Sequence, residues 1–157
     1  MAPRFLLDGM LGSLARWLRI LGYDTLYHVD REDDLLRAEA QDSQRVLVTR
    51  DAELYRKAVK TGQKSVLIHS DHIMEQLKEL VDAQDISLVP VNTRCPRCNG
   101  DLDPVDKDDI TGKVPEESYN AFDDYWFCSM CNAIYWKGSH WVQIEKTLSK
   151  IADSKSL

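Results

Sequence analysis

The sequence predicts an α/β fold: a mostly parallel sheet flanked by helices, followed by a small C-terminal zinc-ribbon module. Three observations carry the α/β part of that reading. Arg45-Val-Leu-Val-Thr49 and Ser65-Val-Leu-Ile-His69 are apolar runs without polar alternation, as in strands buried on both faces. Around them, apolar residues recur at helical spacing, so strands and helices alternate. The chain's only four cysteines form two Cys-x-x-Cys pairs, Cys95–Cys98 and Cys128–Cys131, downstream of those strands.

Taken in order, Arg4–Leu7 is a short apolar strand ending at Asp8. Met10, Leu11, Leu14, Ala15, Trp17, Leu18 and Leu21 then share one helical stripe, and Gly22 stands where a helix-ending glycine would. Thr25–Val29 reads as a second strand. Asp33 and Asp34 precede Leu35, Leu36, Ala38 and Ala40, as acids do at the start of a helix. The strand at 45–49 runs into the polar triplet Thr49-Arg50-Asp51. A helix follows over Ala52–Val59, and Gly62 ends it. After the strand at 65–69, Ser70 or Asp71 can cap a helix over Ile73–Val81, and Ile86–Val89 reads as a last short strand. Pro90 marks a change of composition, and the domain boundary is placed near residue 92: a sheet domain over 1–92 and a cysteine-bearing module over 93–157. Within that module Asp101–Glu117 reads as a polar linker, Tyr119–Trp141 as an aromatic-rich stretch and Val142–Ile151 as a helix. The Ser154-Lys-Ser156 tail reads as loose.

The chain has 157 residues, room for one ordinary domain or a small domain with a metal-stapled module. Its 43% hydrophobic and 29% charged residues describe a globular, soluble protein. No apolar run approaches the roughly 20 residues of a membrane span. The net charge of -6 argues against a general nucleic-acid coat, which needs clustered Lys and Arg. It leaves room for a nuclease, because a pocket holding Mg²⁺ must be built from carboxylates.

Each cysteine pair can form a tight turn with both sulfurs aimed at one centre, so Cys95, Cys98, Cys128 and Cys131 can close a tetrahedral shell around structural Zn²⁺. A disulfide framework suits small secreted chains, and no apolar signal stretch follows Met1. A thioredoxin-like redox site needs one such pair at a strand-to-helix junction. Reduced cysteines and the lack of a targeting segment point to the cytoplasm.

In open parallel sheets, ligands bind beyond the carboxyl ends of the strands. Asp8 and Asp51 follow strands there, and Asp33 and Asp34 start a helix that can lean over the same edge. Carboxylates brought together repel unless a cation sits between them, and Mg²⁺ or Mn²⁺ is the natural occupant. Such an ion can activate water against a phosphodiester. The plain alternative is a helix N-cap, a role that Asp51 before Ala52-Glu53-Leu54 fits well. Thr49 has the same two readings: a partner for metal-bound water, or a tie within its own turn.

Arg4-Phe-Leu-Leu-Asp-Gly-Met-Leu-Gly-Ser-Leu-Ala-Arg-Trp-Leu-Arg-Ile-Leu-Gly-Tyr-Asp-Thr-Leu-Tyr27, followed by Val46-Leu-Val-Thr-Arg-Asp51, resembles the Mut-seven C-terminal RNase family. Tyr135-Trp-Lys-Gly-Ser-His-Trp141 and the cysteine pairs match that family's zinc-ribbon extension, so the resemblance covers all but about the last dozen residues. It implies a PIN-like fold and metal-dependent ribonuclease activity on RNA. By position, Asp8 and Asp51 match its strand-end acids, and its helix-start acid falls on Asp33 or Asp34, with register favouring Asp33. A fourth acid falls on Glu53 or, farther off, Asp71, and neither is a clean match.

Arg16 and Arg19, three apart on the first helix, can face one way and hold phosphate beside Asp8, or be solvated. Arg50 is a third phosphate contact or a partner for the acids. In the extension, Lys137 and Trp141 can grip and stack single-stranded bases. Phe127, Tyr135 and Trp136 read as core of a small module. His140 is a spare metal ligand beside a shell that four cysteines already complete, and His28, His69 and His72 read as bystanders. The residues thus favour a metal-dependent ribonuclease with a structural zinc ribbon. The rival is a non-catalytic RNA- or protein-binding adaptor that lacks the second metal position.

Overall fold

The computed structural model describes residues 2–155. The apolar runs form four strands, β1 (Phe5–Leu7), β2 (Thr25–Tyr27), β3 (Val46–Thr49) and β4 (Ser65–Leu67), all parallel, in the order β2-β1-β3-β4. Helices α1 (Gly12–Ile20), α2 (Asp33–Asp42) and α3 (Ala52–Lys60) are the crossovers, and α4 (Ile73–Ala83) follows β4. The fold is α/β, as the unbroken apolar strands predict.

Strand alternation sends side chains to two separate cores. Phe5, Leu7, Val46 and Val48 meet Leu14 and Leu18 of α1 and Leu77 and Leu80 of α4 on one face. Leu6 and Leu47 meet Leu36 and Ala40 of α2 and Leu54 and Ala58 of α3 on the other. With both faces covered, no strand needs a polar side, which is why the sequence shows none. Gly22 ends α1 at φ 90°, and a Cβ there would lie 2.6 Å from Cγ2 of Val91. Any other residue would be strained and also push away the chain that leads into the cysteine module.

The second sheet is antiparallel: β5 (Leu102–Val105), β6 (Tyr125–Cys128) and β7 (Ile134–Tyr135), in that order. A short 3-10 helix (Lys107–Ile110) and α5 (Glu116–Ala121) lie between β5 and β6. The last helix, α6 (Ser139–Lys155), returns to the first sheet, where Ile144, Leu148 and Ile151 join the core beside α4.

Four local expectations change. Ile86–Val89 forms no strand. Ile86 and Leu88 are instead drawn into the α1/α4 core, and the Ser87 amide donates to the Tyr23 hydroxyl at 2.7 Å. Asp101–Glu117 is not a linker, because Leu102–Val105 pairs along β6. Its charge masked the strand: Asp103 is exposed on an edge where Pro104 can sit without a ladder donor. Neither Ser70 nor Asp71 caps α4, which begins after His72 without a side-chain cap, although the Ser70 hydroxyl accepts the His72 amide. The tail expected to be loose is helical through Lys155, and Ser156 lies outside the described residues.

Candidate functional site

The order β2-β1-β3-β4 puts a topological switch point between β1 and β3, since the chain leaves β1 for β2 and returns to the far side of β1 at β3. Ligand crevices of open α/β sheets lie at the carboxyl ends of such strand pairs. Asp8 follows β1 there, and Thr49 ends β3. The fully buried Thr49 hydroxyl donates to Oδ2 of Asp8 at 2.9 Å and accepts the Asp51 amide at 3.0 Å. The Gly9 amide donates to Oδ1 of Asp8 at 2.6 Å. Of the two roles foreseen for Thr49, the tie within its own turn is the one seen, and the same hydroxyl also holds the Asp8 carboxylate.

Asp51 is the N-cap of α3, as its context suggested, and accepts the amides of Glu53 at 2.9 Å and Leu54 at 3.3 Å on Oδ1. Both of those bonds use one oxygen. Asp33, in the first turn of α2, is the acid that faces this edge. Burial raises its pKa above the ordinary carboxylate value, and the negative charges of Asp51, Asp8 and Glu53 push the same way, against the pull of Lys57. Asp34 points elsewhere, with its side chain 84% exposed and paired to Arg37 at 3.3 Å. Asp33, the acid that register favours, is thus the one of the two that feels the charges of Asp51 and Asp8, while Asp34 is paired to Arg37.

Neither candidate for a fourth acid is fixed at this edge. Glu53 is exposed at the start of α3, with Lys57 at 4.0 Å, and Asp71 is exposed beside His72. Among the described residues, no Lys, Arg or His forms an ion pair with Asp8, Asp33 or Asp51. Nor do these three carboxylates close to within 4.8 Å of one another as a set; among the described residues the four cysteines do.

The basic candidates separate. Arg16 is exposed on α1. Arg50 reaches the His69 carbonyl with Nη2 at 3.5 Å, while its Nε is buried without a protein partner. Arg19 lies against the cysteine module, donating from Nε to the Thr25 carbonyl and from Nη1 to the Pro96 carbonyl at 3.2 Å. His69, read as a bystander, is held by Glu79, which accepts its Nδ1–H at 2.8 Å together with the His69 and Ser70 amides. Only a fold that brings α4 across the end of β4 reveals that pair.

The two cysteine pairs use one turn twice. Asn99 and Asn132, each just after a pair's second cysteine, have φ of 71° and 63°. Their amides donate to the Cys95 and Cys128 carbonyls at 2.9 and 2.7 Å. An Asn after Cys-x-x-Cys, suited to left-handed backbone, is a signal that sequence reading could have used. Cys95 and Cys131 sulfurs lie 3.6 Å apart, and Cys98 and Cys128 sulfurs 3.4 Å apart. A tetrahedron with metal–sulfur bonds of about 2.3 Å has edges of about 3.8 Å, so the donor set fits a metal ion and is consistent with zinc. Gly100 makes room for it: a Cβ there would lie 3.1 Å from the Cys128 sulfur.

Burial works against the Cys95 thiolate, but hydrogen bonds from the Tyr135 hydroxyl, at 3.1 Å, and from the Cys98 and Arg97 amides bring its pKa down to about 7. Burial pushes Cys98 up to about 12. Tyr135 thus packs beside the centre while its hydroxyl serves it. Tyr135, Trp136 and Phe127 are half-buried, whereas Tyr125, packed on Trp136, is the fully buried aromatic of the module. Lys137 and Trp141 are brought together, with the ammonium 5.1 Å from the Trp141 ring and 5.7 Å from that of Trp126. His140 is exposed and stands apart from the four-cysteine set.

No described helix is long and apolar enough to cross a membrane. A family model described as Mut7-C RNAse domain matches residues 3–148. No curated protein and no solved structure matches the chain.

Proposed function

The chain belongs to the Mut7-C RNAse domain family, and from that premise we propose that it is a divalent-metal-dependent ribonuclease. The observation that supports this best is the position of Asp8 and Asp51 just past β1 and β3, with Asp33 under the influence of both charges and, among the described residues, no cationic side chain in an ion pair with any of the three. Burial first, and the like charges beside it, raise the cost of ionising Asp33, and a bound Mg²⁺ or Mn²⁺ would offset that cost. Asp8, Asp33 and Asp51 would hold the ion, which would polarise the phosphodiester and lower the pKa of attacking water. Thr49 keeps Asp8 oriented, Arg16 and Arg50 are the phosphate contacts, and Lys137 with Trp141 is a stacking platform for single-stranded RNA. On this reading residues 1–92 are a PIN-like catalytic domain, 93–157 carry a structural zinc ribbon, and the protein works in the cytoplasm.

The test is cleavage of structured and single-stranded RNAs with Mn²⁺, run beside Asp8→Asn. In-line attack by water should leave 5′-phosphate and 3′-hydroxyl ends. Turnover that Asp8→Asn retains would remove Asp8 from the mechanism.

A second reading, a non-catalytic RNA- or protein-binding adaptor, is favoured by the exposure of Glu53 and Asp71 and by the open spacing of the three carboxylates. Metal titration separates the two. An adaptor binds one ion tightly at the cysteines and shows no weaker Mg²⁺ or Mn²⁺ site.

A further inference from the structure

The Cys95–Cys98 turn is held to the parallel sheet by two side chains. Asn99 accepts the Thr25 amide at 2.9 Å and donates to Asp24 at 2.8 Å. Asp24 in turn pairs with Arg45 at 2.8 Å, and Arg45 donates to the Phe5 carbonyl of β1. Arg19 is the second tie and the only one of the two that carries charge. Its Nε holds Thr25, and its Nη1 reaches the Pro96 carbonyl at 3.2 Å and that of Arg97 at 3.5 Å, both inside the turn.

A neutral donor would satisfy those carbonyls. The guanidinium is half-buried there, against the turn that carries Cys95 and Cys98; a second one, of Arg94, donates to the Asn99 carbonyl at the end of the same turn at 3.0 Å but makes no bond to Pro96 or Arg97 between the ligands. Four thiolates around a divalent ion leave a net charge of about −2 on a half-buried centre. A cation against that shell offsets it, while the planar fork of an Arg fixes the backbone carrying two of the ligands.

We propose that Arg19 is the outer-shell cation of the four-cysteine metal centre, setting the position of the Cys95–Cys98 turn and offsetting the charge of the loaded thiolates. Arg19 is then a positioning residue of the metal site and not an RNA contact. The proposal rests on the cysteines binding a metal and is independent of nuclease activity.

The experiment is competition for Zn²⁺ between the whole chain and a chromophoric chelator, for wild type, Arg19→Lys and Arg19→Gln. It is paired with urea unfolding of the metal-free and zinc-loaded forms. Arg19→Gln should lose about 10–100-fold in zinc affinity, the usual cost of an outer-shell partner. Arg19→Lys, which keeps the charge, should lose distinctly less. Zinc affinity of Arg19→Gln within about twofold of wild type overturns the proposal. So does equal destabilisation of the metal-free and loaded forms, which marks a purely structural tie, and so does a Lys variant as weak as the Gln variant. Should Arg19→Gln not fold, Arg19→Lys decides: a loss of zinc affinity smaller than about 10-fold supports a charge role, and any larger loss rejects it. A wild-type chain that binds no zinc rejects the metal centre and this role together.

Discussion

The hydroxyl of Thr49 and the carboxylate of Asp8 are joined by a 2.9 Å hydrogen bond between the ends of β3 and β1, in a position where Thr49 has no solvent exposure. The same hydroxyl accepts the Asp51 amide, so one buried oxygen spaces two of the three carboxylates at the switch point. Thr49→Val keeps the shape and removes both bonds, leaving the Asp51 amide without its acceptor. Urea unfolding should show a loss of about 1–3 kcal/mol, and Mn²⁺-dependent RNA cleavage should fall with it. Thr49→Ser, which keeps the hydroxyl, should lie close to wild type in both measurements.

Asp8→Asn tests the charge apart from the hydrogen bond. The amide oxygen can still accept from Thr49, so circular dichroism and zinc content should match wild type. Cleavage should drop to background, because a neutral side chain no longer balances the cation.

Asp33 carries the pH dependence of this edge. Its pKa is raised in the fold, so between the ordinary carboxylate value of about 3.9 and the raised one the native state holds more protons than the unfolded chain. Stability therefore declines as pH rises through that window and stays lower above it. Asp33→Asn removes the penalty. Its melting temperature should exceed wild type at pH 7, match it near pH 3, and lose its advantage when Mn²⁺ is added to both. Asp34→Asn, already neutralised by Arg37 at the surface, should change neither melting nor cleavage. A higher melting temperature for Asp33→Asn that persists at pH 3 would remove the cost of ionising Asp33, from burial and like charge together, as its cause.

Strand-end acids and paired cysteines could be read from sequence because each is local: a carboxylate one residue past an apolar run, two sulfurs three residues apart. What stayed hidden depends on how distant segments meet. Arg16 and Arg19 look equivalent along α1, yet Arg19 is drawn to carbonyls of Pro96 and Arg97. Asp33 and Asp34 are neighbours in one helical turn, and only the placement of α2 beside β1 and β3 sets one against Asp51 and leaves the other to Arg37. Charge along Asp101–Glu117 hid a strand whose partner lies beyond residue 124. Val142–Ile151 showed its helical period without showing that its apolar stripe belongs to the core of the first sheet.

Gly100 is where the four-cysteine cluster has no slack. Its φ is not in the left-handed region, so an alanine there meets no backbone penalty, only contacts with the Met130 and Cys128 sulfurs at 3.0 and 3.1 Å. Met130 is exposed and can swing aside, whereas the Cys128 sulfur is buried and would be held in place by a bound zinc ion. Gly100→Ala should therefore cost about 1–3 kcal/mol in the zinc-loaded form, and less in the metal-free form, where Cys128 can move. Unfolding curves with and without zinc read the difference directly.

Asp51 caps α3, and substitution can separate that role from the metal-ligand role proposed for it. As an N-cap it accepts from Glu53 and Leu54 on Oδ1, and Asn caps nearly as well as Asp. As a metal ligand it needs the negative charge that Asn lacks. Asp51→Asn should thus unfold within about 0.5 kcal/mol of wild type yet lose Mn²⁺-dependent cleavage. Asp51→Ala should lose cleavage and about 1 kcal/mol of stability besides. If Asp51 were only a cap, the order would differ: Asn would retain turnover, and any loss in Ala would follow its loss of stability. Measuring cleavage and unfolding on the same two variants therefore decides whether the charge of Asp51 belongs to the chemistry or to the end of α3.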